Sequence, residues 1–194
     1  MFKLCESLTN TPKLPATTLA NNCYERMFSM CSSLIKAPEL PATTLADYCY
    51  SDMFANCHSL IKAPKLPATT LAAHCYSCMF YDCMSLIKAP ELPATTLADY
   101  CYDGMFYDCT SLIIIPILPA IILTNGCYQS MFHGCYNLFY IKAMFTTTPS
   151  TTYTLGWVYG VAASGTFVKN SAATWNVSGD DGIPNGWTVE TADQ

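Results

Sequence analysis

The chain has 194 residues, of which 52% are hydrophobic and only 12% charged, where an ordinary soluble domain carries about 25% charged residues. So few charges with so many aromatics exclude an intrinsically disordered chain, and no run reaches the roughly 18 apolar residues of a membrane-spanning helix. A net charge of −5 with no basic cluster argues against a nucleic-acid partner.

The first residues already belong to a repeat. Met1-Phe2-Lys3-Leu4-Cys5 matches Met27-Phe28-Ser29-Met30-Cys31 in register. The chain is therefore expected to be a piece that starts inside a repeat, with any export signal upstream and an uncapped N-terminal end available for self-association. Cys5, Cys31, Cys57, Cys83, Cys109 and Cys135 recur every 26 residues, and Cys23, Cys49, Cys75, Cys101 and Cys127 form a second series with the same step. Leucines and the proline pairs Pro12/Pro15, Pro38/Pro41, Pro64/Pro67, Pro90/Pro93 and Pro116/Pro119 keep the same period. A period in this range means a solenoid or array, so residues 1–142 are expected to form about five and a half coils of 26 residues.

Within one unit, residues 34–41 carry proline at every third position and are expected to be a short extended stretch with a bend. Residues 44–54 lack Pro and Gly. Leu45, Cys49 and Met53 lie four apart, as do Tyr50 and Phe54, and Thr44 with Asp47 resembles an N-terminal capping box. This spacing predicts a short helix or helical turn. Each unit is then one strand and one helical turn, and neither buries its apolar side until neighbours stack, with strands pairing in parallel. The Leu, Phe and two Cys columns are the expected core. Lys13, Glu39, Lys65 and Glu91 alternate in sign up one column, Lys36, Lys62 and Lys88 form a weakly basic edge, and aspartates collect on the helical segment.

The cysteines are read as buried thiols, since side chains in a ladder run parallel rather than toward each other and free Cys is among the most buried residues. Cys75 and Cys78 make a single C-x₂-C near His74 and Cys83, too little for a repeated zinc framework. Cys78, off both series, is the cysteine expected at the surface. No metal or cofactor is expected. The histidines His58, His74 and His133 fall in different coils, and no catalytic motif is present, so no enzyme is expected.

Functional variation in a solenoid should appear as departures from the repeat on one surface. Tyr48, Tyr81, Asp82, Tyr100, Asp103, Tyr107 and Asp108, with His74 and His133 in the same columns, form a candidate binding surface, because Tyr offers both ring and hydroxyl. The alternative is a merely solvated face. A second candidate is the apolar patch Ile114, Ile115, Ile117, Ile121 and Ile122, where the Lys, Ala and Thr positions of earlier units turn to Ile. Its partner is either the terminal segment of this chain or another molecule.

After residue 142 the composition changes: Trp157, Trp175 and Trp187 all lie beyond it and no cysteine does. Residues 154–162 are expected as a short helix, 165–169 as a strand and 182–189 as a turn then a strand. Residues 143–194 are thus expected to be a C-terminal α+β cap over the last coil, the alternative being a small binding module with exposed tryptophans. Asn176-Val177-Ser178 is a glycosylation sequon.

The run Met53-Phe54-Ala55-Asn56-Cys57-His58-Ser59-Leu60, followed by a proline-marked bend and recurring over residues 1–142, resembles the BspA-like leucine-rich repeats of bacterial surface proteins. The resemblance implies an α/β solenoid, a right-handed leucine-rich-repeat-like coil with a parallel sheet of short strands and short helical turns opposite. It also implies an extracellular or cell-surface, non-enzymatic adhesion module for a protein or glycan ligand such as host matrix or mucosal components. Similar repeats in phage and mobile-element surface proteins imply an alternative, a structural spacer or virion or tail component. A third reading makes this chain the targeting arm of an enzyme encoded elsewhere in a longer protein.

Overall fold

A computed structural model describes residues 2–193. Residues 46–57 show how one coil is made. The N–H groups of Cys49, Ser51, Met53, Ala55 and Cys57 donate to the carbonyl three residues back, closing a string of overlapping four-residue turns. The intervening N–H groups of Tyr48, Tyr50, Asp52, Phe54 and Asn56 donate to carbonyls of Ala73, Cys75, Ser77, Met79 and Tyr81 in the next coil, at 2.7–3.0 Å. Alternate donors therefore close turns and join coils.

This geometry overturns the expected α/β solenoid: no helix forms among the described residues, and none is long and apolar enough to cross a membrane. The reason is a backbone constraint at every fourth residue. Tyr48, Asp52 and Asn56 have φ of 57°, 52° and 62°, and His74, Cys78 and Asp82 repeat the pattern at 52°, 51° and 55°. A left-handed residue breaks a right-handed helix, whereas it suits the third position of a type II turn. The expected capping box is also replaced. Asp47 Oδ1 accepts the Ala73 N–H of the next coil at 3.1 Å, and Asp99 does the same for Asn125.

The expected strands shrink as well. In the proline-marked coils the parallel sheet is reduced to isolated bridges, one line running Lys36 to Lys62 to Lys88 to Ile114 to Tyr140 and a second, broken line joining Thr18 to Thr44 and Thr70 to Thr96, with a further bridge from Leu118 to Ala143. Pro38, Pro64 and Pro90 follow two residues after each lysine and have no N–H to extend the ladder. The fifth coil keeps the proline in Ile114-Ile115-Pro116, the one after it has Tyr140-Ile141-Lys142 instead, and there the sheet widens. Strands β1 (Tyr140–Ala143), β2 (Thr166–Asn170) and β3 (Thr188–Ala192) pair in parallel in the order β1-β2-β3, Tyr140 opposite Thr166 and Thr166 opposite Thr188.

The stack thus runs across residues 142–143 without interruption. Gly126, Ser130, Phe132 and Gly134 donate to carbonyls of Thr152, Leu155, Trp157 and Tyr159, as earlier coils do. Residues 154–162, expected as a helix, are another string of turns, with Gly156 and Gly160 at φ 60° and 70°. The expected α+β cap is therefore helix-free and built from further, irregular coils.

The core is a set of ring columns. Phe28, Phe54, Phe80, Phe106 and Phe132 are buried and stack face to face at centroid distances of 5.6–5.9 Å. Tyr50, Tyr76, Tyr102 and Tyr128 form a parallel column at 5.8–5.9 Å. Each fully buried ring contributes about 1.5–3 kcal/mol from its apolar area. Trp157, Trp175 and Trp187 take over at the C-terminal end, and all three are buried, which removes the exposed-tryptophan module. Each indole N–H donates to a carbonyl of another coil: Gly182, Phe145 and Ala162 respectively.

Candidate functional site

Cys31, Cys57, Cys83, Cys109 and Cys135 point their thiols at the carbonyls of Phe2, Phe28, Phe54, Phe80 and Phe106, at 3.0–3.2 Å. Each S–H thereby serves a carbonyl of the preceding coil. Burial raises the Cys57 thiol to about 12 and the Cys49 and Cys127 thiols to about 11. Thiols held protonated this way are poor nucleophiles and poor metal ligands at neutral pH. The surface cysteines are Cys5 and Cys23, not Cys78, which is half-buried, with burial and then the Asp52 charge raising its thiol to about 11. Cys78 occupies a left-handed position whose neighbour one coil on, Gly104, leaves it room. No group of His, Cys, Asp or Glu side chains able to hold a metal ion occurs among the described residues.

The tyrosine and aspartate candidates lie on the turn ribbon, where the structure orders them into two ring ladders. Tyr48, His74 and Tyr100 stack at 4.4 and 4.9 Å. Tyr81, Tyr107, His133 and Tyr159 stack at 5.0, 4.3 and 4.7 Å. The first ladder stops where Tyr100 lies over Gly126, a position with no space for a Cβ. Inside a ladder each ring face is covered by the next ring, so the columns present edges and hydroxyls to solvent rather than flat platforms. Asp82 and Asp108 follow Tyr81 and Tyr107, and Asp82 meets His58 of the preceding coil at 3.1 Å. Asp108 is raised by its partial burial, against the opposing charge of His133. Asp103 stands apart, half-buried, with its carboxyl raised to about 6 by desolvation against a Gln129 hydrogen bond.

The isoleucine patch divides. Ile115 is core, Ile121 is half-buried with its carbonyl accepting the Thr146 N–H, and Ile114, Ile117 and Ile122 are exposed, the last 64% so. Ile114 bridges Tyr140, which places the patch at the join between proline-marked and later coils.

Two further features escape a residue-by-residue reading. Ile35, Ile61, Ile87, Ile113 and Phe139 form an exposed apolar ribbon, one per coil, that the periodic leucines overshadow in the sequence. Beside it runs a groove of about 780 Å³, continued by one of about 550 Å³, which share Lys62, Ala63, Pro64, Lys65 and Pro67. The Ala-Pro pairs at 37–38, 63–64 and 89–90 lie along it, with Lys36, Lys62 and Lys88 before them and the exposed Pro41, Pro67 and Pro93 beyond. The signal available in the sequence was the invariance of Lys-Ala-Pro in three successive units.

Comparison with family models, with curated proteins and with solved structures finds no match to this chain.

Proposed function

We propose that the chain is a non-enzymatic recognition module that works outside the cell or at a cell surface, as the resemblance to BspA-like repeats implies, and binds a protein or glycan. The observation that supports this most is the registration of its exposed side chains. Lysines, prolines and isoleucines recur once per coil on fixed columns, and tyrosine shares two more with histidine, so the protein displays a regular array over several coils. Such an array suits an extended or repetitive partner. The thiols of Cys31, Cys57, Cys83, Cys109 and Cys135 are held in hydrogen bonds to backbone carbonyls, which fits a structural rather than a chemical use of that column.

Glycan and matrix-protein arrays probed with the intact protein test this reading. Saturable binding to a defined class supports it, and absence of binding to every class contradicts it.

A second reading, a structural spacer or virion or tail component, draws on the exposed ribbon of Ile35, Ile61, Ile87, Ile113 and Phe139, since a continuous apolar stripe suits a subunit contact. Sedimentation velocity separates the two. Concentration-dependent lateral assembly, weakened by Ile61→Gln and Ile87→Gln, favours the spacer, and a monomer at all concentrations favours the recognition module.

A further inference from the structure

The groove carries more positive than negative charge on a protein whose net charge is −5. Its charges are also patterned. On one edge stand Asn10, then Lys36, Lys62 and Lys88, one per coil. Three residues further along each coil, across the Ala-Pro floor, the other edge reads Glu39, Lys65, Glu91. None of these charged side chains is in ion-pair contact with another among the described residues. The alternation is therefore not consumed by pairing between coils, the role that the sequence pattern invites. The fifth coil has Ile114 and Ile117 at the two positions, which ends the polar track.

The geometry points to a linear 1,4-linked uronic acid polysaccharide lying along this groove, one sugar per coil, with its carboxylates read alternately by the two edges. This rests on the reading of the chain as a recognition module and names the ligand class and register. Parallel pairing sets the step between coils at ~4.8 Å, close to the advance of one diequatorially 1,4-linked pyranose. Such a chain is a flat two-fold ribbon, so successive carboxylates point to opposite edges and each sugar turns hydroxyls toward the edge its carboxylate leaves. A sugar on the Lys65 coil directs its carboxylate to Lys65 and its hydroxyls to Lys62. Its neighbours direct carboxylates to Lys36 and Lys88 and hydroxyls to Glu39 and Glu91, which accept hydrogen bonds from them. One coil earlier a sugar turns its hydroxyls toward Asn10. Shifting the ligand by one sugar would set carboxylates against Glu39 and Glu91, so the charges fix the register. The Ala-Pro floor has no side-chain polar group and suits the C–H faces of the sugar rings. An acidic peptide matches less well, because same-face side chains of an extended strand recur every ~6.7 Å and lose step with the coils.

Calorimetric titration of the intact protein with β-1,4-mannuronate tetramer and with β-1,4-mannotetraose, which differ only at the carboxylate, tests this. The tetrauronate is expected to bind at least tenfold tighter, with added salt weakening it. Lys65→Gln is expected to weaken it at least fivefold and Lys62→Gln twofold or less, both being exposed changes that leave the thermal transition in place. Equal affinity for the neutral tetramer, equal effects of the two lysine changes, or competition by poly-L-glutamate at equal carboxylate concentration overturns the proposal. Array binding to a different partner that ignores Lys36, Lys65 and Lys88 substitutions removes the uronate groove and leaves the recognition reading standing. Absence of binding to every probe removes both.

Discussion

The proline-marked coils pass hydrogen bonds along the turn ribbon as far as residues 152–159, where Gly156 turns instead to the Asp181 side chain, and the coils after residue 139 also fill the interior and the sheet differently. In the first region the rings repeat, thiols serve the Phe carbonyls, and the sheet is limited to isolated bridges with proline between them. In the second the thiols disappear, indole N–H groups serve the backbone carbonyls, and the sheet widens to strands of four and five residues. The comparison teaches that the stack depends on a rule about backbone donors, which different side chains can satisfy. A periodic sequence is one way to obey it and an aperiodic one is another.

The strongest way to break the comparison is at the joint. Trp157 packs against Tyr128, Phe132, Phe145 and Phe167, at centroid distances of 5.8–6.1 Å. Trp157→Ala is expected to cost about 3–5 kcal/mol, as is Phe80→Ala in the middle of the Phe column. Urea unfolding followed by two probes, one in each region, should show a single transition displaced by either change. A transition in one region that ignores the change in the other would divide the stack in two.

Proline should have opposite meanings in the two regions. Val168→Pro, in the central strand β2 opposite Lys142 and Glu190, is expected to cost about 3 kcal/mol or more. Pro64→Ala, where the sheet is already a single bridge, is expected to cost about 1 kcal/mol or less. Urea midpoints at constant slope check both, and comparable losses would remove proline as the reason for the narrow sheet.

The left-handed positions give an intermediate effect. Gly134 has φ of 72°, and a Cβ there meets the Asp108 carboxylate. Gly134→Ala is expected to lower stability by about 1–2 kcal/mol, and the same change measured in Asp108→Ala should cost less, which a double-mutant cycle reads directly.

The smallest effect depends on pH. Desolvation raises Asp103 from 3.8 to about 6, so the folded state holds this proton more tightly than the unfolded chain. Stability from this group is complete below pH ~4, falls as pH rises through the window to about 6, and stays lower above it. Asp103→Asn is therefore expected to stabilise the protein by about 1 kcal/mol at pH 7 and by nothing at pH 3.5. Thermal melts at the two pH values test the sign.

What the sequence disclosed follows from what repetition can carry. The 26-residue step, the columns of Phe and Cys, and the strand at 166–170 were legible because each is a matter of spacing or of local turn chemistry, whereas the last strand, expected within 182–189, runs on to residue 192. The helix was misread because Leu45, Cys49 and Met53 recur every four residues, and over so short a span a four-residue turn pair and a 3.6-residue helix give the same apolar face. The discriminating signal lay in the positions between them. Across the coils, the column of Asn56 also holds Asp82, Asp108 and Gly134, and that of Tyr48 also holds Asn22, His74 and Gly126. Asn, Asp, His and Gly are the residues that tolerate positive φ. The Tyr ladders were legible as columns but not as ladders, because ring-on-ring stacking depends on the coil step and conceals the faces. The groove was invisible as a cavity, since its Ala-Pro floor has no side-chain polar group.

The coil-to-coil donor rule is tested most directly by NMR of residues 72–83 in the intact chain. The account predicts left-handed backbone shifts and couplings at His74, Cys78 and Asp82, and slowed exchange of the Tyr76, Cys78 and Phe80 amides through bonds to Cys101, Asp103 and Met105. Contacts between Tyr76 and Cys101 should accompany them. Uninterrupted helical shifts with amide-to-amide contacts from residue 72 to residue 80, and no contact to residues 101–105, would contradict it.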